Sequence, residues 1–160
     1  MSARIENIEI NAFMGRHLSD VFQTMLSIEA VPAGQIDRPP HEERVSGSVG
    51  FGGDTVTGAV YLHLSTQFAT RAAAAMLGLT PEELSGEAEV NDVVGEVTNM
   101  LGGGFKSWLC DAGSPCAMST PAIIRGSSFD IEPMPGIERI CRTFTCGDEN
   151  VLLEVHIKFN

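Results

Sequence analysis

Glu96 and Asn99 stand three residues apart inside the stretch Val90 to Cys110, VNDVVGEVTNMLGGGFKSWLC. On a helix, residues three apart share a face. A carboxylate on that face can hold a cationic partner through charge-assisted hydrogen bonds. A carboxamide beside it accepts through its oxygen and donates through its N–H. It is no general base, because an amide does not titrate near neutral pH. Asp92 precedes the pair by one turn and Gly103 follows it by one turn. Gly103 leaves a flat spot with no side chain beside the two polar groups.

These groups need a helix to hold them. At roughly 100° per residue, Val90, Val93, Val94, Val97, Met100, Leu101, Phe105 and Trp108 gather on one broad face, which buries itself. Trp108 is read as a core anchor. Gly95 and the run Gly102-Gly103-Gly104 sit in the same helix. Each costs roughly 1 kcal/mol against alanine in a helix interior. Close approach of another backbone accounts for that cost. Asn91 is the expected cap, and Gly113-Ser114-Pro115 ends the helix.

The remaining elements follow from periodicity and punctuation. Ile8 to Ile28 reads as a first helix, with Asn11 at its cap or in its first turn. Glu29 to Glu43 is loop, with a short edge strand near Ala30 to Ala33 and a break at Pro39-Pro40. Val45 to Phe51 and Val56 to Leu64 form a hairpin around Gly52-Gly53-Asp54. Gln67 to Leu79 is an alanine-rich helix opened by Thr66 and stopped near Gly78. Thr80-Pro81-Glu82-Glu83 starts a short acidic helical element. Met118 to Arg125 reads as a strand, with Pro121 placing it at an edge or a bulge. Glu138 to Thr145 and Val151 to Phe159 form a second hairpin, and Leu153, Val155 and Ile157 alternate cleanly on one face.

The chain echoes itself. Phe51 and Phe144 lie 93 residues apart, as do Val60 and Leu153, Leu62 and Val155, and His63 and His156. Upstream, Pro32 pairs with Pro121 at 89, and Asn11 with Asn99 at 88. Each half reads helix, proline-bearing strand, hairpin. In that alignment Ile8 stands opposite Glu96, so only the second half carries both polar residues.

Bulk properties narrow the class. A chain of 160 residues is most simply one domain. The net charge of −11 disfavours nucleic acid and anionic membrane as partners. A cationic patch on a protein suits it better. The opening MSARIENIEI shows no signal peptide, and no stretch reaches the roughly 18 apolar residues of a membrane span. Cys110, Cys116, Cys141 and Cys146 match no zinc spacing and read as free thiols in a reducing cytosol. GGGFKS is not a phosphate-binding loop, since Phe105 precedes the lysine where glycine is required and no strand leads into it. His63 and His156 have the opposite phase to the core residues, which makes them exposed or second-face residues and not ligands. His17 and His41 have no companions in sequence. No serine-histidine-acid or cysteine-histidine arrangement can be assembled.

GEVTNMLGGGFKSWL resembles the E-x-x-N helix of the CheC/CheX/FliY phosphatases of bacterial chemotaxis, through Glu96-Val97-Thr98-Asn99, the small residues that follow, and Lys106. The layout over most of the chain is also similar, and the single polar pair resembles CheX more than CheC. The resemblance implies an α/β chain of α+β two-layer form. One largely antiparallel sheet of about six strands would carry long helices in two pseudo-symmetric halves. Half one spans about 8–65, a linking helix 66–79, and half two 90–160. The implied activity is hydrolysis of the aspartyl phosphate of a phosphorylated CheY-type response regulator. Asn99 would hold the attacking water and Glu96 would pair with the partner's lysine. Asp92 and Gly103 would contact the partner, and Lys106 would either contact it, as a phosphate ligand, or remain a solvated charge. The chain would carry no metal or cofactor of its own, and Mg2+ would belong to the partner's receiver domain. A cytoplasmic homodimer is implied, with Val151 to Phe159 as a candidate edge for strand pairing. The rival expectation is a non-catalytic adaptor that binds a receiver or another signalling component. A third is a fortuitous E-x-x-N in an unrelated acidic α/β protein, which Glu96 or Asn99 lying in the core would support.

Overall fold

The computed structural model describes residues 5–34 and 43–160. The expected break at Pro39-Pro40 and His41 lie outside the described residues. Helix α1 spans Asn7–Leu26. Ile10, Met14, Leu18 and Phe22 recur at intervals of one turn and are all buried. Ser27 ends the helix in the left-handed region at φ 53°. The strands are β1 Val31–Pro32, β2 Arg44–Gly52, β3 Val56–Ser65, β4 Ala117–Met118, β5 Ala122–Gly126, β6 Glu138–Cys146 and β7 Glu149–Phe159. Helix α2, Thr66–Leu77, is capped by Ser65, whose Oγ accepts the Phe68 N–H at 3.0 Å. The cap is therefore Ser65 and not Thr66. Gly78 stops α2 at φ 69°, a left-handed conformation that favours glycine. A 3-10 turn at Pro81–Glu83 precedes α3, Glu87–Asp111.

All strand pairs are antiparallel, in the order β1-β6-β7-β3-β2, with β4 and β5 both paired to the outer side of β2. The expected strand Met118 to Arg125 is split in two at Pro121, which has no N–H for the ladder. The three helices pack on one face. Val45, Val49, Val60, Leu62, Leu153, Val155 and Phe144 of that face join Leu18, Phe22, Val94 and Leu101 in one core.

β7 is central. It pairs with β3 along Val56–His63 and with β6 along Glu138–Cys146. The expectation that Val151 to Phe159 is a free edge is therefore incorrect. Chain order does not give strand order, and the cleanly apolar Leu153, Val155 and Ile157 belong to a covered strand. Among the described residues the sheet ends at β1 on one side and at β4 and β5 on the other.

The halves interlock: β1 of the first pairs with β6 of the second, and β4 and β5 of the second pair with β2 of the first. The hairpin echo at 93 residues holds, since β3 and β7 are central partners. The helical echo needs correction. Ile10, Met14, Gly15, Leu18 and Phe22 match Val97, Leu101, Gly102, Phe105 and Leu109 in burial at an offset of 87. At 88, buried Leu18 would fall on Lys106, which is only half-buried. Asn11 thus corresponds to Thr98. Glu96 corresponds to Glu9 and Asn99 to Ala12, not Ile8 and Asn11. Asn11 is instead occupied with Arg142, whose Nη1 donates to its side-chain oxygen and backbone carbonyl.

Candidate functional site

α3 begins one turn earlier than its apolar pattern shows, after Gly86. Asn91 is therefore not the cap. It lies inside the helix, where its Oδ1 accepts from Arg125 Nε of β5 at 2.7 Å. The same nitrogen pairs with Glu87 at 3.1 Å, so Arg125 ties the first turns of α3 to the sheet edge. The buried face is the expected one, extended by Thr98, Gly102 and Leu109. Met100 and Trp108 are only half-buried, and the Trp108 ring stacks on Phe13 of α1 at 4.8 Å.

Glu96 and Asp92 are exposed, and Asn99 is partly exposed. A fortuitous E-x-x-N turned into the core is excluded. Asp92, Glu96 and Asn99 line one groove with Asn91 and Gly95, and its opposite wall is Met118, Ser119, Thr120, Pro121 and Ile123. Sequence reasoning missed that wall; its only signal was the proline expected at an edge. Ser119 fixes the wall to β2. Its N–H donates to Gly50 O at 2.8 Å and its Oγ accepts the Gly50 N–H at 2.9 Å. Gly103 and Lys106 lie beyond the groove, one and two turns further along α3.

The glycines of α3 divide by task, and side chains rather than a backbone make the close approaches. A Cβ at Gly102 would overlap Val49 Cγ1 and lie 3.1 Å from Met118 Sδ. A Cβ at Gly104 would overlap the His17 ring, whose Nε2 hydrogen-bonds Leu101 O at 3.1 Å. At Gly95 a Cβ would meet Pro121 and Ile123 of the far wall at 3.9 Å, which is ordinary contact. Gly103 has nothing within 4 Å. It is the open, flat position beside Asn99.

A second polar constellation lies on the sheet face away from the helices. Glu154, 1% exposed, accepts from His63 Nε2 at 2.9 Å, Arg139 Nε at 2.7 Å and His156 Nε2 at 2.5 Å. Ser46 Oγ bonds His63 Nδ1 at 2.7 Å. His63 and His156 are thus second-face residues, as one expectation had it, but they are buried rather than exposed. Ser46, His63 and Glu154 do assemble, against the sequence reading. With Ser46 0% exposed, no substrate reaches the hydroxyl. Burial opposes charge on Glu154, but the His156, His63 and Arg139 hydrogen bonds outweigh it and hold the carboxyl well below the usual range. Burial lowers the His63 imidazole despite Glu154. The signal was present in the opposite phase of His63, Glu154 and His156.

Among the described residues no group of three or more His, Cys, Asp or Glu could hold a metal ion. No helix there is long and apolar enough to cross a membrane. None of the four cysteines is in a disulfide, and burial pushes the Cys146 thiol up to about 11.

The family described as chemotaxis phosphatase CheX matches residues 45–145. No curated protein sequence matches the chain. Among solved structures, the chain is similar to the chemotaxis protein CheX of Vibrio vulnificus, with 29% identity, a TM-score of 0.81, and 97% of this chain and 100% of that one covered. It is similar to a CheX of Desulfovibrio desulfuricans at 26% identity and TM-score 0.78, covering 94% and 99%. It shares its fold with the CheX of a CheX–CheY–BeF3–Mg2+ complex from Borrelia burgdorferi, at 24% identity and TM-score 0.76, covering 97% and 99%. The family match takes in the E-x-x-N stretch of α3, the β2–β3 hairpin beneath it and the β4–β5 wall across from it, and the chain belongs to the CheX family.

Proposed function

We propose that this protein hydrolyses the aspartyl phosphate of a phosphorylated CheY-type response regulator in the cytoplasm. The observation that carries this is the placement of Glu96 and Asn99 together on the open face of α3, in one groove, with Gly103 flat beside them. Family membership supports the reaction class, and the Borrelia burgdorferi complex supports a CheY-type partner.

An aspartyl phosphate is a mixed anhydride and needs little covalent machinery. It needs a water held in line with the leaving carboxylate oxygen. Water attacks phosphorus, the bond to the aspartyl oxygen breaks, and the products are inorganic phosphate and the aspartate carboxylate. The Asn99 carboxamide oxygen accepts from that water while its N–H faces the phosphoryl oxygens. Glu96, one turn back, takes the partner's lysine as a charge-assisted pair and sets the register. Gly103 lets the partner's loops lie against the helix, and Asp92 extends the acidic stripe at the other end. Lys106 lies beyond the groove and offers a cation to the partner's phosphoryl side. The magnesium charge belongs to the receiver domain.

The test follows phosphoryl label on a purified phosphorylated receiver, with Mg2+, with and without the protein. Faster loss that disappears in Asn99→Ala and weakens in Glu96→Ala supports hydrolysis with these roles. Binding with unchanged decay makes the chain an adaptor. A homodimer formed by strand pairing would use β1, or β4 and β5, the described edges of the sheet. Sedimentation showing only monomer at high concentration removes the dimer.

A further inference from the structure

Thr98 stands between Glu96 and Asn99 in the chain and is 0% exposed. Its hydroxyl donates to Val94 O at 2.7 Å, which fixes its rotamer. Its side chain fills the space over Gly47 of β2. A Cβ built at Gly47 would overlap Thr98 Oγ1 and lie 2.9 Å from Thr98 Cβ and 3.1 Å from Cγ2. Gly47 is extended strand, paired with Leu62 and Ile123. Its lack of a side chain serves this contact and not a turn. Four residues on, Gly102 takes Val49 of the same strand in the same way. α3 is thus seated on β2 by a threonine in a gap of the strand and a valine in a gap of the helix.

We infer that the Thr98–Gly47 contact is a rotational key for the site, and that Thr98 is a positioning residue for Asn99. This rests on the phosphatase reading above. Successive helical residues point about 100° apart, so fixing Thr98 inward fixes Asn99 along the groove. Any methyl at Gly47 drives α3 off the strand by about 1 Å or more, given ordinary carbon contacts of about 3.5–4.0 Å. A displacement of that size at a reacting centre costs about 100-fold in rate.

The experiment uses the whole chain with a phosphorylated receiver and compares Gly47→Ala, Thr98→Ala, Thr98→Ser and Gly47→Ala/Thr98→Ala. Decay is measured against protein concentration. The NMR resonances of the Asn99 side-chain amide are recorded beside each melting curve. Gly47→Ala is expected to lower the saturating rate about 100-fold, with half-saturation moving only several-fold, and to shift the Asn99 resonance. In the double variant the threonine hydroxyl and methyl are gone from over the methyl added to the strand and only the Cβ of residue 98 remains, at 2.9 Å, so the repair is partial. It is expected to recover at least about tenfold of that rate. Thr98→Ala alone is expected to lose about tenfold and Thr98→Ser to restore it, since serine keeps the hydroxyl over Gly47.

A folded Gly47→Ala with native rate and native Asn99 resonance overturns the key, and so does a loss that the double variant leaves unrepaired. If Gly47→Ala does not fold, the Thr98 pair decides: a native rate in Thr98→Ala overturns the key. If the native protein leaves decay unchanged, the phosphatase reading fails. The Asn99 resonance, shifted in Gly47→Ala and returned in the double variant, then decides the key by itself.

Discussion

The helices α1 and α3 occupy equivalent places in the two halves and bury the same pattern, yet only α3 presents the polar pair. Across the offset of 87 residues, Ile10, Met14, Leu18 and Phe22 face Val97, Leu101, Phe105 and Leu109. The exposed positions differ where chemistry is at stake. Glu9 keeps the carboxylate of Glu96, Ala12 replaces Asn99, and Arg16 stands where Gly103 leaves its flat spot. Packing constrains the buried stripe in both helices, because a core position tolerates few shapes. It leaves the solvent stripe free to carry a site on one helix and lose it on the other. The sheet behind them shows the same contrast. Tyr61 and Glu154 are register partners on β3 and β7. His63 and His156, equivalent in the two halves, both turn to Glu154. One partner of a pair at the pseudo-twofold is a carboxylate and the other is not.

The largest effect is expected at that asymmetric carboxylate. Glu154→Ala removes the buried carboxylate that accepts from Arg139, His63 and His156. It should cost about 3–5 kcal/mol of stability in chemical denaturation. The pH dependence follows from the same site. Glu154 is held below its ordinary 4.5 in the folded state, so its contribution is present above that value and fades as pH falls below it. His63 is held below 6.5, so the unfolded chain takes up its proton first and stability already declines as pH drops through 6.5. Melting temperature should therefore fall on acidification from pH 7, and the loss below 4.5 should be shallower in Glu154→Gln.

Next in size is the contrast between Asn99 and Ala12. Asn99→Ala should lower phosphoryl loss by about 100-fold or more, as when an oriented hydrogen-bonding group is removed. Ala12→Ser should leave it unchanged. Equal effects at the two positions would break the distinction between the helices. A smaller contrast concerns their buried glycines. Gly102→Ala should cost about 1–3 kcal/mol, since Val49 blocks the added methyl. Gly15→Ala meets only the flexible end of Arg142, at 3.3 Å, and gains about 1 kcal/mol of helix propensity, so it should be close to neutral or stabilising. The smallest effect is a gain. Ala12→Asn with Arg16→Gly rebuilds the pair with Glu9, and calorimetry with a beryllofluoride-treated receiver should show a second, weaker binding event. It is expected to be weaker because, among the described residues, β1 is a two-residue strand, shorter than the Met118–Ile123 wall of the groove.

The sequence made much of this legible because period and punctuation are local. The apolar spacing of α3, the turn at Gly52-Gly53-Asp54 and the stop at Gly78 all stand where the pattern put them. The outward stripe of Glu96 and Asn99 was legible for the same reason. Properties that depend on what comes from elsewhere were not. Asn11 drew the helical echo out by one residue, because an asparagine is conspicuous and a buried Gly15 is not. His63 and His156 read as exposed or second-face residues, since alternation shows only that they point away from the core, and only the fold brings Glu154 and Arg139 to them. β7 looked free because it ends the order of strands. The groove's second wall came from β4 and β5, whose pairing with β2 spans about 70 residues of chain.

The interlocked halves also bear on how the chain reaches its native state. β1 meets β6 across more than 100 residues, Val31 opposite Thr145. The central ladder joins β3 to the strand that follows every other element. Contacts so distant in sequence pay their loop-closure entropy before they return anything, which slows folding. A chain still growing has its β2–β3 hairpin and all of α3 before it has β7. The helix that carries Glu96 and Asn99 can seat at once on β2, which precedes it, whereas α1 still waits for β6 and β3 for β7. That interval, with the edge of β3 unpaired until β7 arrives, is when the chain is more open to aggregation than the finished fold is.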